Sequence, residues 1–189
     1  MEEKIEVIIR ELENKIKSSQ YLDSWFYSEH LLVVQKFALW LCKIYPTTNK
    51  DAVLLAVWLH DISRADGVDE NHDQKGAQIA RKILQENNFD NDFIDLIVKT
   101  CESHSCKKVK PESLEAKILA TADAMSHFEN GFYLRIYKNW NLKYEDALDK
   151  LYQKIERDYK QKLFFPEAIK KIKPMYEAWQ KIKERIQTN

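Results

Sequence analysis

The segment Ala52-Val53-Leu54-Leu55-Ala56-Val57-Trp58-Leu59 is an unbroken apolar run that leads straight into His60-Asp61. Such a run must be buried on most sides, and a carboxylate at its end is costly in apolar surroundings unless something neutralises it. No Lys or Arg stands beside Asp61 in the sequence, so a metal ion is the economical partner, with imidazole nitrogens and carboxylate oxygens as ligands. By periodicity alone the run fits a buried strand as well as a buried helix. Thr48 with Asp51 three positions on resembles a capping box, which favours a helix over about residues 50–61.

The rest of the chain reads at helical period, so the expected fold class is all-α. A first amphipathic helix over about residues 3–18 carries Ile5, Ile8, Ile9, Leu12 and Ile16. A long second helix runs from about Ser24 to Ile44 and stops before Pro46. In it His30, Val34, Phe37 and Leu41 share one stripe, which puts His30 on the core-facing side. Residues 62–72, with Gly67 and several Asp, read as an irregular loop after the His-Asp pair. Helices over about 73–87, from Asp90 to about His104, and over about 112–129 follow. Beyond Gly131 the chain is rich in aromatics, and two further long helices are expected at about 144–162 and 166–187. No repeat, low-complexity tract or linker marks a second domain. The expectation is a single domain over 1–189, its site-bearing core at about 25–130, with helices from about 131 completing the bundle.

Composition closes off several classes. Only 3 Gly and 4 Pro leave little turn material for a sandwich or barrel. Equal numbers of basic and acidic residues, 30 each, argue against a dedicated nucleic-acid binder. The longest apolar run is far short of the roughly 20 residues that cross a bilayer, and the charged amphipathic start carries no signal core. Cys42, Cys101 and Cys106 form no Cys-x-x-Cys motif and fit reduced thiols in the cytoplasm. A homodimer is compatible with all of this.

His30 in Ser28-Glu29-His30, the doublet in Leu59-His60-Asp61, and Asp123 in Ala120-Thr121-Ala122-Asp123-Ala124 occur in an order and spacing that resembles the HD superfamily of metal-dependent phosphohydrolases. The resemblance spans about residues 25–130. It implies a helical core with one divalent ion (Mn, Co, Ni, Fe, Zn or Mg) held by His30, His60, Asp61 and Asp123. Activity on a small phosphate ester, a nucleotide or deoxynucleotide above all, is the implied function. Some members hold a second metal through two extra histidines between the doublet and the last aspartate, an interval occupied here by His72 and His104.

Further site residues follow from chemistry and position. His72 and His104 are read as groups at the mouth of the site that meet phosphate, with metal ligation as the alternative. His127, one turn after Asp123, either orients that carboxylate, contacts substrate or is structural. Arg64, and Lys75 at the start of the next helix, are candidate phosphate clamps. Asp61 is both ligand and candidate proton acceptor, and Asp66 is a candidate for activating water. Aromatics from the C-terminal part either stack on a base or fill the core. Two other classes compete with a phosphohydrolase. A di-iron oxygenase would need His72 and His104 both at metal. A regulatory module would bind nucleotide without turnover.

Overall fold

Helix α3 (Lys50–Leu59) is the axis on which the rest is assembled. Ala52, Val53, Leu55, Ala56, Val57, Trp58 and Leu59 are all buried, as a helix apolar on every side requires. Each valine and leucine among them contributes about 1.5–3 kcal/mol on leaving water. The structure, a computed structural model, describes residues 2–187, and among them there is no strand.

Around α3 pack α1 (Glu2–Ser18), α2 (Leu32–Ile44), α4 (His72–Glu86), α5 (Asn91–Ser103) and α6 (Leu114–His127). Beyond them lie α7 (Phe132–Lys138), α8 (Tyr144–Lys162) and α9 (Pro166–Gln187), with α8 against α6 and α9 against α8. No helix of the described residues is long and apolar enough to cross a membrane.

Several local details differ from what the sequence predicts. The cap of α3 is Asn49, whose side chain accepts from the Ala52 amide at 3.1 Å; the Thr48 hydroxyl is instead spent on the Tyr45 carbonyl at 2.6 Å. The long second helix begins as a π-helical segment, Phe26–Leu31, before continuing as α2. Such wide turns are frequent at functional sites, and this one carries His30. The stretch after the doublet is not wholly irregular: Ile62–Asp66 form a 3₁₀ turn, closed by Gly67 in the left-handed region (φ 79°). The short helix α7 was not anticipated.

Two apolar clusters result. The larger joins α1 to α6 with Leu163, Phe165, Ala168 and Ile172. A smaller one, of Phe132, Tyr133, Leu151, Tyr152 and Ile155 with Trp25, Trp140 and Trp179 at its edge, absorbs much of the aromatic-rich C-terminal part.

Candidate metal centre

Five elements meet at one point. The π segment delivers His30, the end of α3 delivers His60 and Asp61, α6 delivers Asp123 and His127, and the starts and ends of α4 and α5 deliver His72 and His104. A close approach of α4 helps define this point. A Cβ on Gly76 would stand 2.8 Å from the His60 carbonyl oxygen, so only glycine lets α4 lie this near the doublet.

The chain has five histidines, and all five are held the same way. Each uses Nδ1 on an acceptor. His60 donates to the Val57 carbonyl at 2.7 Å, His104 to the Cys101 carbonyl at 2.6 Å and His72 to the Asp69 carbonyl at 3.0 Å. His30 donates to Ser126 Oγ at 3.0 Å, whose own proton goes to the Asp123 carbonyl. His127 donates to Asp158 Oδ2 at 2.8 Å. Acceptors of this kind fix the tautomer and leave the Nε2 lone pair as the working end.

Those five Nε2 atoms gather on two carboxylates. Asp61 Oδ2 lies 3.8 Å from His30 Nε2 and 3.7 Å from His60 Nε2. Asp123 Oδ1 lies 3.7 Å from His30, 3.9 Å from His60 and 3.2 Å from His127. The other oxygen of Asp61, Oδ1, faces His72 at 3.5 Å and His104 at 3.7 Å. His60 Nε2 and Asp61 Oδ1 are buried with no hydrogen-bond partner among the described residues. Orphaned donor atoms beside ionised carboxylates are what a cation site requires, so the residues fit a divalent ion. Three overlapping sets have their ligand atoms within 4.8 Å of one another: His30–His60–Asp61, His30–Asp123–His127 and Asp61–His72–His104.

Protonation suits the same role. Burial pushes the His30 imidazole down to about 4, and burial together with the neighbouring His60 pushes His104 down to about 3, so both are neutral at pH 7, the form in which imidazole can bind a metal. Burial lowers His72 as well. Burial by itself would raise Asp61, but Arg64, His60 and His72 hold it well below the usual carboxylate range. Asp123 is likewise driven up by burial and held well down by His127 and Lys162.

Two basic residues therefore serve the carboxylates, contrary to the sequence expectation that Asp61 has no base beside it. In a 3₁₀ turn residues i and i+3 eclipse, which brings Arg64 back over Asp61 with Nε 3.0 Å from Oδ1. Lys162, at the end of α8 and 3% exposed, contacts Asp123 Oδ2. Thr121 on α6 fixes that helix end by donating to the Lys162 carbonyl at 2.9 Å. Asp158, wholly buried, accepts from His127, from Tyr133 Oη at 3.1 Å and from Lys154 Nζ at 3.0 Å. Lys154, Asp158 and Lys162 are site residues that sequence reasoning missed. A signal was present: Ala147, Leu151, Ile155, Asp158 and Lys162 fall on one stripe of α8, so two charges stand in core register.

A cavity of about 540 Å³ opens over the cluster. His30, Asp61, Arg64, His72, His104, Asp123 and His127 all line it, together with Lys107, Lys150, Lys154 and Lys162. Trp25, Phe132 and Trp140 form its apolar side, with Lys150 Nζ 4.4 Å above the Trp140 ring. Asp66 and Lys75 do not line this cavity. Asp66 turns to α1, where it pairs with Lys15 at 2.8 Å, and Lys75 projects to solvent from the outer side of α4. Neither is placed for the roles expected of it.

An all-helical fold that gathers histidine and aspartate side chains from several helices defines a class, and the comparisons with known proteins agree with it. The HD domain family model matches residues 27–127, more than half of the chain, and the chain belongs to the HD domain family. A crystal structure of a predicted HD superfamily hydrolase from an uncultured Thermotogales bacterium superposes with a TM-score of 0.63 at 23% identity, covering 95% of this chain and 91% of that one. That likeness extends the fold past the matched region into α7–α9. No curated protein matches.

Proposed function

We propose that this protein is a metal-dependent phosphohydrolase acting on a small phosphate ester, a nucleotide among the substrates, with His30, His60, Asp61 and Asp123 holding a divalent ion. The observation that carries the reading is the gathering of all five Nε2 atoms on two ionised carboxylates inside a cavity edged with basic side chains. The ion, when bound, would supply Lewis acidity, activating water and polarising a phosphoryl oxygen.

The chain's own residues support the rest. Arg64, Lys107 and Lys154 bring positive charge to the cavity wall, where it would meet a phosphoryl group. His127 keeps its Nδ1 proton on Asp158 and turns Nε2 inward, so it can accept or share a proton at that atom. Trp25, Phe132 and Trp140 offer flat apolar surface to the remainder of the substrate and exclude water from one side. Both carboxylates stay ionised across the neutral range, which keeps Asp61 competent as ligand and proton acceptor. Cytoplasmic location and use of one ion belong to this same reading. The two-ion alternative draws on one specific observation, that His72 and His104 face the second oxygen of Asp61.

The test is phosphate release. Chelator-treated protein is reloaded with Mn²⁺, Co²⁺, Ni²⁺, Zn²⁺, Fe²⁺ or Mg²⁺ and offered a panel of nucleotides and sugar phosphates. At least one metal should restore turnover, and Asp61→Asn should lower it by roughly 10²–10³ or more. Tight metal and nucleotide binding with no phosphate release under any metal would sink the hydrolase and leave the regulatory module. Full turnover in Asp61→Asn would remove Asp61 from the mechanism.

A further inference from the structure

We propose that Arg64 is a built-in cation that occupies a second metal position and limits the centre to one tightly held divalent ion. The inference rests on the metal reading above and adds to it the number of ions and the residue that sets it.

Asp61 presents its two oxygens to two different donor sets. Oδ2 belongs with His30 and His60, and Oδ1 with His72 and His104. By donor type the second set is as good as the first. Both of its imidazoles have Nδ1 anchored on a backbone carbonyl, so both turn Nε2 toward Oδ1. A divalent ion about 2.0–2.2 Å from each of three such atoms is compatible with separations of 3.5 and 3.7 Å.

The guanidinium of Arg64 stands against two of those three donors. Its Nε is 3.0 Å from Asp61 Oδ1, and its Nη2 is 3.2 Å from His72 Nε2. A positive group there offsets the charge of Oδ1 without any ion. It also repels a second divalent cation and covers the lone pairs that cation would need.

Toward Asp61 the contact is one of charge and not of a directed hydrogen bond, since neither Arg64 Nε nor Asp61 Oδ1 has a hydrogen-bond partner among the described residues; only the contact with His72 Nε2 is hydrogen-bonded. Arg64 is moreover partly exposed, and Nη1 is drawn outward by Asp69, itself 82% exposed. The guanidinium thus has a route to solvent, and excess metal can displace it. Removing its charge should leave the second set open.

Mn²⁺ titration of the chelator-treated protein, followed by equilibrium dialysis and electron paramagnetic resonance, reads ion number directly. Wild type should take up one Mn²⁺ per chain tightly, with a second only at large excess. Arg64→Gln should take up two, the second tighter than in wild type by roughly 10–100-fold and spin-coupled to the first. Arg64→Lys, which keeps the charge, should remain at one. Adding His104→Ala to Arg64→Gln should return the count to one, which places the second ion. Retention of the first ion reports that each variant is folded. Two tight ions in wild type, only one in Arg64→Gln, or a second ion that survives His104→Ala overturns the proposal while leaving the first site standing. A wild type that binds no ion overturns the metal reading itself.

Discussion

Asp61 and Asp123 share His30 and His60, yet the chain neutralises them in opposite ways. Asp61 takes its base from three residues along the same 3₁₀ turn, at the rim of the cavity, through a contact lacking a directed hydrogen bond. Asp123 takes its base from 39 residues away, and Lys162 is buried, clamped through Thr121 and set beside a second ion cluster of His127, Asp158 and Lys154. A local base at the rim can exchange with solvent or with an ion. A remote base in the interior cannot, and so it becomes part of the fold. The α8 helix lies outside the matched region of 27–127, but without it Asp123 would be a buried charge with one oxygen unserved. The doublet side of the centre is chemically adjustable, and the α6–α8 side is structurally committed.

The largest expected effect follows from that contrast. Lys162→Met keeps the length and most of the volume of the side chain and strands Asp123 in the interior. Breaking a buried pair by removing one partner costs about 3–5 kcal/mol, whereas a partly exposed pair such as Arg64–Asp61 is worth far less. Urea denaturation of metal-free Lys162→Met and Arg64→Gln should therefore show a large loss for the first and a small one for the second. Equal losses would end the distinction between the two sides.

Acid should probe the two sides through their histidines. His30 is lowered to about 4 and His104 to about 3, both mainly by burial. An unfolded histidine takes up its proton near pH 6.5, so between pH 6.5 and 4 the unfolded chain binds protons that the folded chain refuses. Stability of the metal-free protein should fall as pH drops through that window, by on the order of 3 kcal/mol from His30 alone. Asp61 and Asp123, held well below the usual range, are charged in both states there; their contribution is lost only at still lower pH. Denaturation midpoints at pH 7, 6 and 5 check this. A flat profile would mean that the buried imidazoles are already charged in the fold, a form in which His30 could not serve as the metal ligand proposed.

What the sequence made legible follows the same division. The apolar run of α3 and the stripe of His30, Val34, Phe37 and Leu41 were readable because burial and helical period agree at every one of those positions. The helices came out within a few residues, α7 excepted. The bases were harder. Arg64 is close in the chain, but its return to Asp61 depends on a 3₁₀ turn that composition does not announce. Lys162 and Asp158 occupy core register in α8, a visible anomaly, yet a charged residue on an amphipathic helix is ordinarily solvated, and only the packing of α8 on α6 shows that these are not. Asp66 misled for the converse reason: nearness to the doublet suggested a carboxylate that activates water, while the turn pairs it with Lys15 on α1.

The smallest expected effect tests that last correction. Asp66 and Lys15 form a pair that is 47% and 40% exposed, linking the 3₁₀ turn to α1. Exposed pairs of this kind contribute about 0–1 kcal/mol, because water screens the attraction and two long side chains lose freedom in making it. Asp66→Asn should therefore change stability by less than about 1 kcal/mol and leave metal content and phosphate release unaltered. Asp61, by contrast, lies on the first turn of the same segment with its carboxylate facing the histidines, so the two aspartates should differ in turnover by orders of magnitude despite being five residues apart. The pair of variants is informative in both directions. If Asp66→Asn loses turnover at normal metal content, the 3₁₀ turn must rearrange to bring that carboxylate to the cavity, and the doublet side of the centre would be adjustable in its backbone as well as in its ions.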